Sequence, residues 1–211
     1  MDPVRVVPAW QAGAIKAAVE ALQRGQVIAL PTDTVYGIGA HGFLAAAIEQ
    51  LYDIKGRDRL KAIALLLGSA ADVQRVAVRV PQTAWRLAER FWPGALTLVL
   101  PRGLAVLDVL TGGGDSVAVR VPDHAVALAL IRALGAPLAA TSANLSGQPE
   151  ACTAQEVLEA LGERVPFVLD GGPCPGGVAS TVVDLTVQPP LIRRPGPLAE
   201  QVQALLSAHS A

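Results

Sequence analysis

The sequence predicts an α/β domain: a twisted, mixed β-sheet flanked by helices. Three observations predict it. Short apolar runs such as Gln26-Val27-Ile28-Ala29-Leu30 and Phe167-Val168-Leu169 alternate with stretches of helical periodicity. Gly and Pro punctuate the boundaries between them. The strands and helices do not follow a strict β-α alternation, which argues for a mixed sheet rather than a purely parallel one. The chain has 211 residues, 52% hydrophobic and 17% charged, against about 25% charged in an ordinary domain. Solvated faces are therefore scarce and the interior is well filled. A single domain over residues 1–211 buries roughly 70% of its unfolded surface and needs no metal or disulfide to hold its core.

Residues 11–24 read as a helix, with Ile15, Val19 and Leu22 on one face and Gly25 as its stop. Gln26 to Leu30 is a buried strand ended by Pro31. The small polar turn Thr32-Asp33-Thr34 follows directly, a place where α/β folds put ligand contacts. A second helix runs from Leu44 to Ile54, with Ile48, Leu51 and Tyr52 inward. Ala62 to Leu67 reads as a strand, residues 82–91 as a helix halted by Trp92-Pro93-Gly94. Leu96 to Leu100 and Val117 to Val121 are strands, separated by a flexible loop at Thr111-Gly112-Gly113-Gly114-Asp115. Pro122-Asp123 opens a helix through Leu134, with Asp123 as cap. Pro137 to Ala140 is a strand ending at Thr141-Ser142-Ala143-Asn144. Thr153 and Glu156 form a capping-box pattern for a helix over 153–162. Strands at Phe167–Leu169, Ser180–Leu185 and Leu191–Arg193 and a helix over Leu198–Ser207 complete the chain, with a loop at Asp170–Gly177.

Composition excludes several function classes. The formal net charge is −1, so no global basic field advertises nucleic-acid binding. Met1-Asp2-Pro3-Val4-Arg5 lacks the pattern of a secretory leader. No apolar run approaches the ~20 residues that span a bilayer. Cys152 and Cys174 lack metal-type spacing, as do the three histidines. This reads as a soluble protein of a reducing cytoplasm. The glycines at 112–114 and 171–172 fit neither GxxxxGK[ST] nor GxGxxG, which leaves them as turns. No Gly-x-Ser-x-Gly elbow and no evident triad is present.

Two polar pairs stand out, Lys55-Gly56-Arg57 and Ser142-Ala143-Asn144, almost ninety residues apart at the ends of apolar segments. In extended backbone, residues two apart point the same way. Brought together, the pairs would gather two cations, a hydroxyl and an amide on one patch, a set suited to a polyanion such as a nucleoside triphosphate.

Around these pairs runs an ordered series: Pro31-Thr32-Asp33-Thr34-Val35-Tyr36-Gly37-Ile38-Gly39-Ala40, Lys55-Gly56-Arg57, Trp92-Pro93-Gly94-Ala95-Leu96-Thr97, Val119-Arg120-Val121-Pro122-Asp123-His124, Thr141-Ser142-Ala143-Asn144-Leu145-Ser146-Gly147, Ser180-Thr181-Val182-Val183-Asp184 and Arg194-Pro195-Gly196-Pro197. In this order the set resembles the YrdC-like family of threonylcarbamoyl-AMP synthases, over about residues 10–200. The resemblance implies a twisted α/β sheet with a concave, positively lined cavity. It implies synthesis of L-threonylcarbamoyl-adenylate from L-threonine, bicarbonate and ATP, with Mg²⁺ on the phosphates, no dedicated protein metal site and release of pyrophosphate. The product would pass to a partner complex that modifies the adenosine next to the anticodon of tRNA. Contact with double-stranded RNA or tRNA is a further implied partnership. Lys55, Arg57, Ser142 and Asn144 match the family's phosphate tetrad, with Lys55 and Arg57 as the catalytic pair, and Arg194 matches a nucleotide-contacting arginine. Thr34, Arg120, Thr141 and Thr181 match positions that hold the amino acid, Arg120 as a fork for its carboxylate.

The chain departs from the family pattern in places. Asp58 stands where proline commonly follows the arginine. Lys61-Ala62-Ile63-Ala64-Leu65-Leu66 stands where many members carry Asn-Pro-Leu-x-x-His, so Leu66 replaces an imidazole and Lys61 is an added candidate for ATP. The chain has no residues for the additional C-terminal domain of longer members. Two other readings remain open: a same-fold paralogue acting on another carbamoyl or nucleotide substrate, and a non-catalytic RNA-binding module.

Overall fold

The computed structural model describes residues 4–175 and 178–207. Met1 to Pro3, Gly176 and Gly177 of the second glycine-rich loop, and residues 208–211 lie outside the described residues. The elements run in order β1 (Arg5–Pro8), α1 (Ala14–Gln23), β2 (Ile28–Leu30), β3 (Gly37–His41), α2 (Ala45–Lys55), β4 (Ala64–Leu66), α3 (Gln82–Phe91), β5 (Leu96–Pro101) and α4 (Asp108–Thr111). They continue with β6 (Ser116–Arg120), α5 (Ala125–Leu134), β7 (Leu138–Ser142), α6 (Ala154–Leu161), β8 (Phe167–Asp170), β9 (Thr181–Asp184), β10 (Leu191–Arg194) and α7 (Ala199–Ser207). All ten strands join one sheet in the order β1-β8-β2-β3-β7-β4-β6-β5-β9-β10. Its β1–β8, β8–β2, β4–β6 and β5–β9 pairs are parallel and the others antiparallel, so the sheet is mixed, as expected.

Alternation along each strand sorts its side chains between two faces. Ala29, Ile38, Ala40, Leu65, Leu96, Leu98, Val117, Val119, Ala139, Val168 and Val183 enter the larger core, which α2, α3 and α6 cover. Ile28, Leu30, Leu66, Leu138, Ala140, Phe167 and Leu169 face the other way. There they meet α1 through Ala14, Ala18 and Leu22 and α5 through Ala127, Leu130 and Ile131. Close packing on this second face relies on a missing side chain: a Cβ on Gly39 would stand 2.7 Å from Leu138 Cδ2. The second core draws on β1, β2, β4, β7 and β8 and takes no side chain from β5, β6 or β9. The outward positions of those strands, Thr97, Ala118, Arg120 and Val182, line an open cleft instead.

Several expectations need local correction. Asp123 does not cap α5: the N-cap position is His124, extended at φ −141°, and no side chain bonds the first turn. The third strand-ending segment runs further than Pro137–Ala140, because Thr141 and Ser142 pair with Ile38 and Gly37. The loop before β6 begins with the short helix α4. β1 and the 3₁₀ turn over Ala70–Arg75 carry too little periodicity to be read from sequence. The capping box is present as expected: Thr153 Oγ1 accepts from Glu156 N–H, and Glu156 Oε2 accepts from Thr153 N–H. Among the described residues no helix is long and apolar enough to cross a membrane.

The β9 end of the cleft depends on a backbone approach at Gly196. A Cβ there would stand 2.5 Å from Thr181 N, 2.6 Å from Ala179 O and 2.7 Å from Ser180 C, all main-chain atoms that cannot step aside. Gly196→Ala is expected to cost about 1–3 kcal/mol of stability through overpacking, measured by urea denaturation; unchanged stability would show that the β10–α7 connection yields freely.

Candidate functional site

The uncovered part of the second sheet face forms the floor of a cleft of about 450 Å³. Its floor positions carry small side chains, Gly37, Ala64, Ala118 and Ala140, which leave room above the strands. Lys55, Arg57, Arg120 and Arg194 line it together with a single carboxylate, that of Glu150. Counting also the Asp33 carboxylate paired with Arg120, four cations against two anions leave a charge of about +2 in a chain whose overall charge is −1. Such a hollow attracts a multiply charged anion.

Lys55 is the last residue of α2 and is only 4% exposed. Gly56 caps the helix with φ +58°, a left-handed turn that sends Arg57 back toward the cleft. The two cations therefore share a side through a helix end, not through the extended backbone that the sequence suggested. Lys55 Nζ directs its three protons at four oxygens, Ser142 O at 2.7 Å, Ser142 Oγ at 3.2 Å, Asn144 O at 3.1 Å and Asn144 Oδ1 at 2.6 Å, so two of the oxygens share a proton. Ser142 Oγ donates to Asn144 Oδ1 at 2.8 Å, and Asn144 Nδ2 donates to Gln148 O. The Lys55 carbonyl in turn accepts from Ser146 N–H at 3.0 Å. Lys55, Ser142 and Asn144 thus satisfy one another, and Arg57 stands apart from them. Arg57 donates from Nε to Lys61 O at 3.0 Å and from Nη2 to Ala62 O at 2.9 Å. Arg194 donates from Nε to Ser180 O at 3.0 Å and from Nη2 to Ser180 Oγ, which lies 2.8 Å from Thr97 Oγ1. Each arginine spends two of its five N–H groups in these bonds, so both can offer more to a ligand.

A second corner is built around Arg120, 6% exposed. Its Nη2 pairs with Asp33 Oδ1 at 2.7 Å, Nη1 donates to Thr34 Oγ1 at 3.1 Å and Nε donates to Gly94 O at 2.9 Å. Burial lowers the Arg120 pKa, and the Asp33 carboxylate opposes that. Thr34 stands beside it, and Thr141 lines the same cleft.

Of the ten residues singled out from sequence, Thr34, Lys55, Arg57, Arg120, Thr141, Ser142, Asn144 and Arg194 line this one cleft. Lys61 and Thr181 do not. Lys61 contributes its carbonyl, which holds Arg57 and accepts from Tyr52 Oη–H, while its side chain is exposed to solvent. Thr181 is fully buried, and its Oγ1 accepts from Leu198 N–H at 3.1 Å, so it anchors the start of α7. Leu66 puts an apolar surface in the wall. Sequence reasoning missed Glu150, and it quoted Thr97 and Thr32 within motifs without choosing either as a site residue. Glu150 sits in an irregular stretch with no periodic signal, whereas Thr97 could have been found as the one polar residue in an apolar strand. Among the described residues no group of three His, Cys, Asp or Glu side chains is placed to hold a metal ion.

A family model described as "Telomere recombination", covering Sua5, YciO and YrdC proteins, matches residues 20–196. The threonylcarbamoyl-AMP synthase of Pyrococcus abyssi is 41% identical over 193 residues, or 91% of this chain and 57% of the relative. The putative threonylcarbamoyl-AMP synthase of Mycobacterium tuberculosis is 38% identical over 205 residues, covering 97% of this chain and 94% of its own. The crystal structure of P. abyssi Sua5 complexed with L-threonine superimposes with a TM-score of 0.90 at 39% identity, over 97% of this chain and 61% of that one. The chain therefore spans less than two thirds of the length of the P. abyssi protein.

The environment of Lys55 has a measurable consequence. Burial, followed by the nearby Arg57 cation, pushes its pKa down to about 8, with Glu150 opposing. The folded chain holds this proton less tightly than the unfolded chain, so the cost of burying the charge is present in full below pH 8. It is relieved as pH rises from 8 toward the ordinary lysine value of 10.5. Relative to Lys55→Arg, which stays charged throughout, the wild type should gain stability between pH 8 and 10 in chemical denaturation. A difference that is flat across that window would mean that the four surrounding oxygens hold Lys55 fully protonated.

Proposed function

The chain belongs to the Sua5, YciO and YrdC family, and from that membership we propose that it condenses L-threonine, bicarbonate and ATP into L-threonylcarbamoyl-adenylate and pyrophosphate. The observation that carries this reading is the convergence of Lys55, Arg57, Ser142, Asn144 and Arg194 with the Arg120–Thr34 corner in one cleft. An anion-binding half and a half with a guanidinium fork adjoin over the same floor. In the reaction, the threonine nitrogen attacks the bicarbonate carbon and water leaves, giving an N-carboxylate. A carboxylate oxygen then attacks the α-phosphorus, and the bond to the bridging oxygen of pyrophosphate breaks. Negative charge builds on the α-phosphoryl oxygens and the departing pyrophosphate.

In this reading Arg57 and Arg194 offer their remaining N–H groups to phosphate oxygens. Lys55, held behind Ser142 and Asn144, supplies a fixed positive field that needs no reorganisation as the charge develops. Asn144 Nδ2 has a second N–H beyond the one given to Gln148 O, whereas Ser142 donates to phosphate only by giving up its bond to Asn144 Oδ1. Arg120 keeps N–H groups for the amino-acid carboxylate beyond those given to Asp33, Thr34 and Gly94. Thr141 lines the same cleft. Mg²⁺ enters as part of the substrate, carried on the ATP phosphates. The product would be consumed by a cytoplasmic complex that modifies tRNA, and direct contact with tRNA or double-stranded RNA belongs to the same proposal. Leu66 favours one second reading, a same-fold paralogue with a different amino-acid substrate, because an aliphatic wall cannot make the hydrogen bonds of an imidazole.

Pyrophosphate release with ATP and bicarbonate, with and without L-threonine, tests the proposal. Threonine-dependent release supports it, and release with a different amino acid supports the paralogue. No turnover, together with salt-sensitive RNA binding, would leave a binding module. Arg57→Ala should lower kcat/KM by about 100-fold or more with an unchanged far-ultraviolet spectrum and melting temperature; near-normal turnover would remove Arg57 from the chemistry.

A further inference from the structure

The turn between β2 and β3 fixes the position of a proton that decides what the cleft can recognise. Thr32 Oγ1 lies 2.7 Å from the carbonyl oxygen of Val35. A carbonyl cannot donate, so the single hydroxyl proton of Thr32 is committed to that bond. Thr32 Oγ1 also lies 3.0 Å from Thr34 Oγ1. With its own proton already placed, Thr32 can only accept there, and the proton of that bond must come from Thr34. The backbone N–H groups of Thr34 and Val35, at the longer distances of 3.1 and 3.3 Å from Thr32 Oγ1, share one of its two lone pairs, and the other accepts the Thr34 proton. On its other side Thr34 Oγ1 accepts from Arg120 Nη1 at 3.1 Å. A threonine hydroxyl has one donor and two acceptor sites. The donor and one acceptor of Thr34 are spent inside the protein, and Thr34 is one of the residues that line the cleft. What it can offer a ligand is a lone pair.

We propose that Thr32 is a positioning residue that orients the Thr34 hydroxyl as an acceptor, so that Thr34 reads a hydrogen-bond donor, N–H or O–H, on the amino-acid substrate. This rests on the functional reading above. The cleft corner is then polarised: Arg120 offers N–H groups for a carboxylate, while Thr34 beside it rejects carboxylate and phosphate oxygens and accepts either the α-ammonium or the β-hydroxyl. A bound amino acid is thereby held in one orientation. Without Thr32, Thr34 would be free to rotate its proton toward the cleft and to accept an oxygen in place of a donor.

Calorimetric titration of the full chain with L-threonine, L-2-aminobutyrate, which lacks the β-hydroxyl, and (R)-3-hydroxybutyrate, which lacks the ammonium, tests the assignment. Thr32→Val should weaken L-threonine by about five- to tenfold, the worth of one hydrogen bond. It should weaken by a similar factor the analogue that keeps the donor read by Thr34, leave the other analogue unchanged, and leave ATP affinity intact. The unaffected analogue identifies the donor. Thr32→Ser, which keeps the hydroxyl, should bind all ligands as the wild type does. Thr34→Val, which leaves the Thr32 turn in place, should show the same selective loss even if Thr32→Val fails to fold. Equal weakening of all three ligands and ATP, or unchanged L-threonine affinity in either valine variant, would overturn the proposal. A wild-type chain that binds ATP but not L-threonine would overturn the functional reading itself, a result distinct from any of these.

Discussion

The cleft depends first on one buried ammonium. Lys55 reaches from the end of α2 to four oxygens at the end of β7, bridging 87 positions of sequence. A lysine that is 4% exposed is costly unless its protons are all directed at oxygen, and here every contact comes from one short segment, Ser142 to Asn144. The same residue's carbonyl holds Ser146. Lys55 therefore acts as a clamp as well as a charge. It fixes where α2 stops, where the strand exits and how Arg57 emerges beyond Gly56. Loss of that ammonium would leave a set of inward-facing oxygens with nothing to bind.

The second constraint is a sheet whose two faces are treated differently. One face is covered along most of its width by the larger core. The other is packed by α1 and α5 over the β1-β8-β2 side and left open over β6, β5 and β9. An exposed sheet face normally carries polar side chains. Here the outward positions are Gly, Ala, Thr and Val on the floor, with arginines and a lysine at the margins. Small floor residues create depth, and rim cations set its electrostatic sign. The rim explains why a chain of net charge −1 still holds a cationic site.

How the chemistry is shared within the cleft follows from hydrogen-bond bookkeeping. Lys55, Ser142 and Asn144 spend most of their donors on one another, whereas Arg57 and Arg194 keep theirs. Arg120 is held by Asp33, Thr34 and Gly94 at once. It is both a structural ion-pair partner and a wall residue, two descriptions that a sequence presents as alternatives. Glu150, the single carboxylate of the lining, raises the proton affinity of Lys55 and Arg194 and so preserves the positive charge that surrounds it.

Much of this was legible from residue order. The helices α2, α3 and α6 and the strands β2, β5, β6 and β8 lie where periodicity and Gly or Pro punctuation put them, because local backbone preference and the core pattern agree there. Eight of the ten chosen site residues meet in one cleft. Thr181 shows the limit: a hydroxyl one position from the cleft residues Ser180 and Val182 lies on the opposite face of the strand, and only pairing partners decide which face is which. Lys61 shows another, since its contribution is a carbonyl, and main-chain groups carry no sequence signature. Sequence alone determined the α/β class, the core pattern and which polar residues were too unusual to be surface decoration. Tertiary structure decided which sheet face stayed bare, which donors remained unspent and which way each hydroxyl points, because these depend on distances between atoms that are remote along the chain.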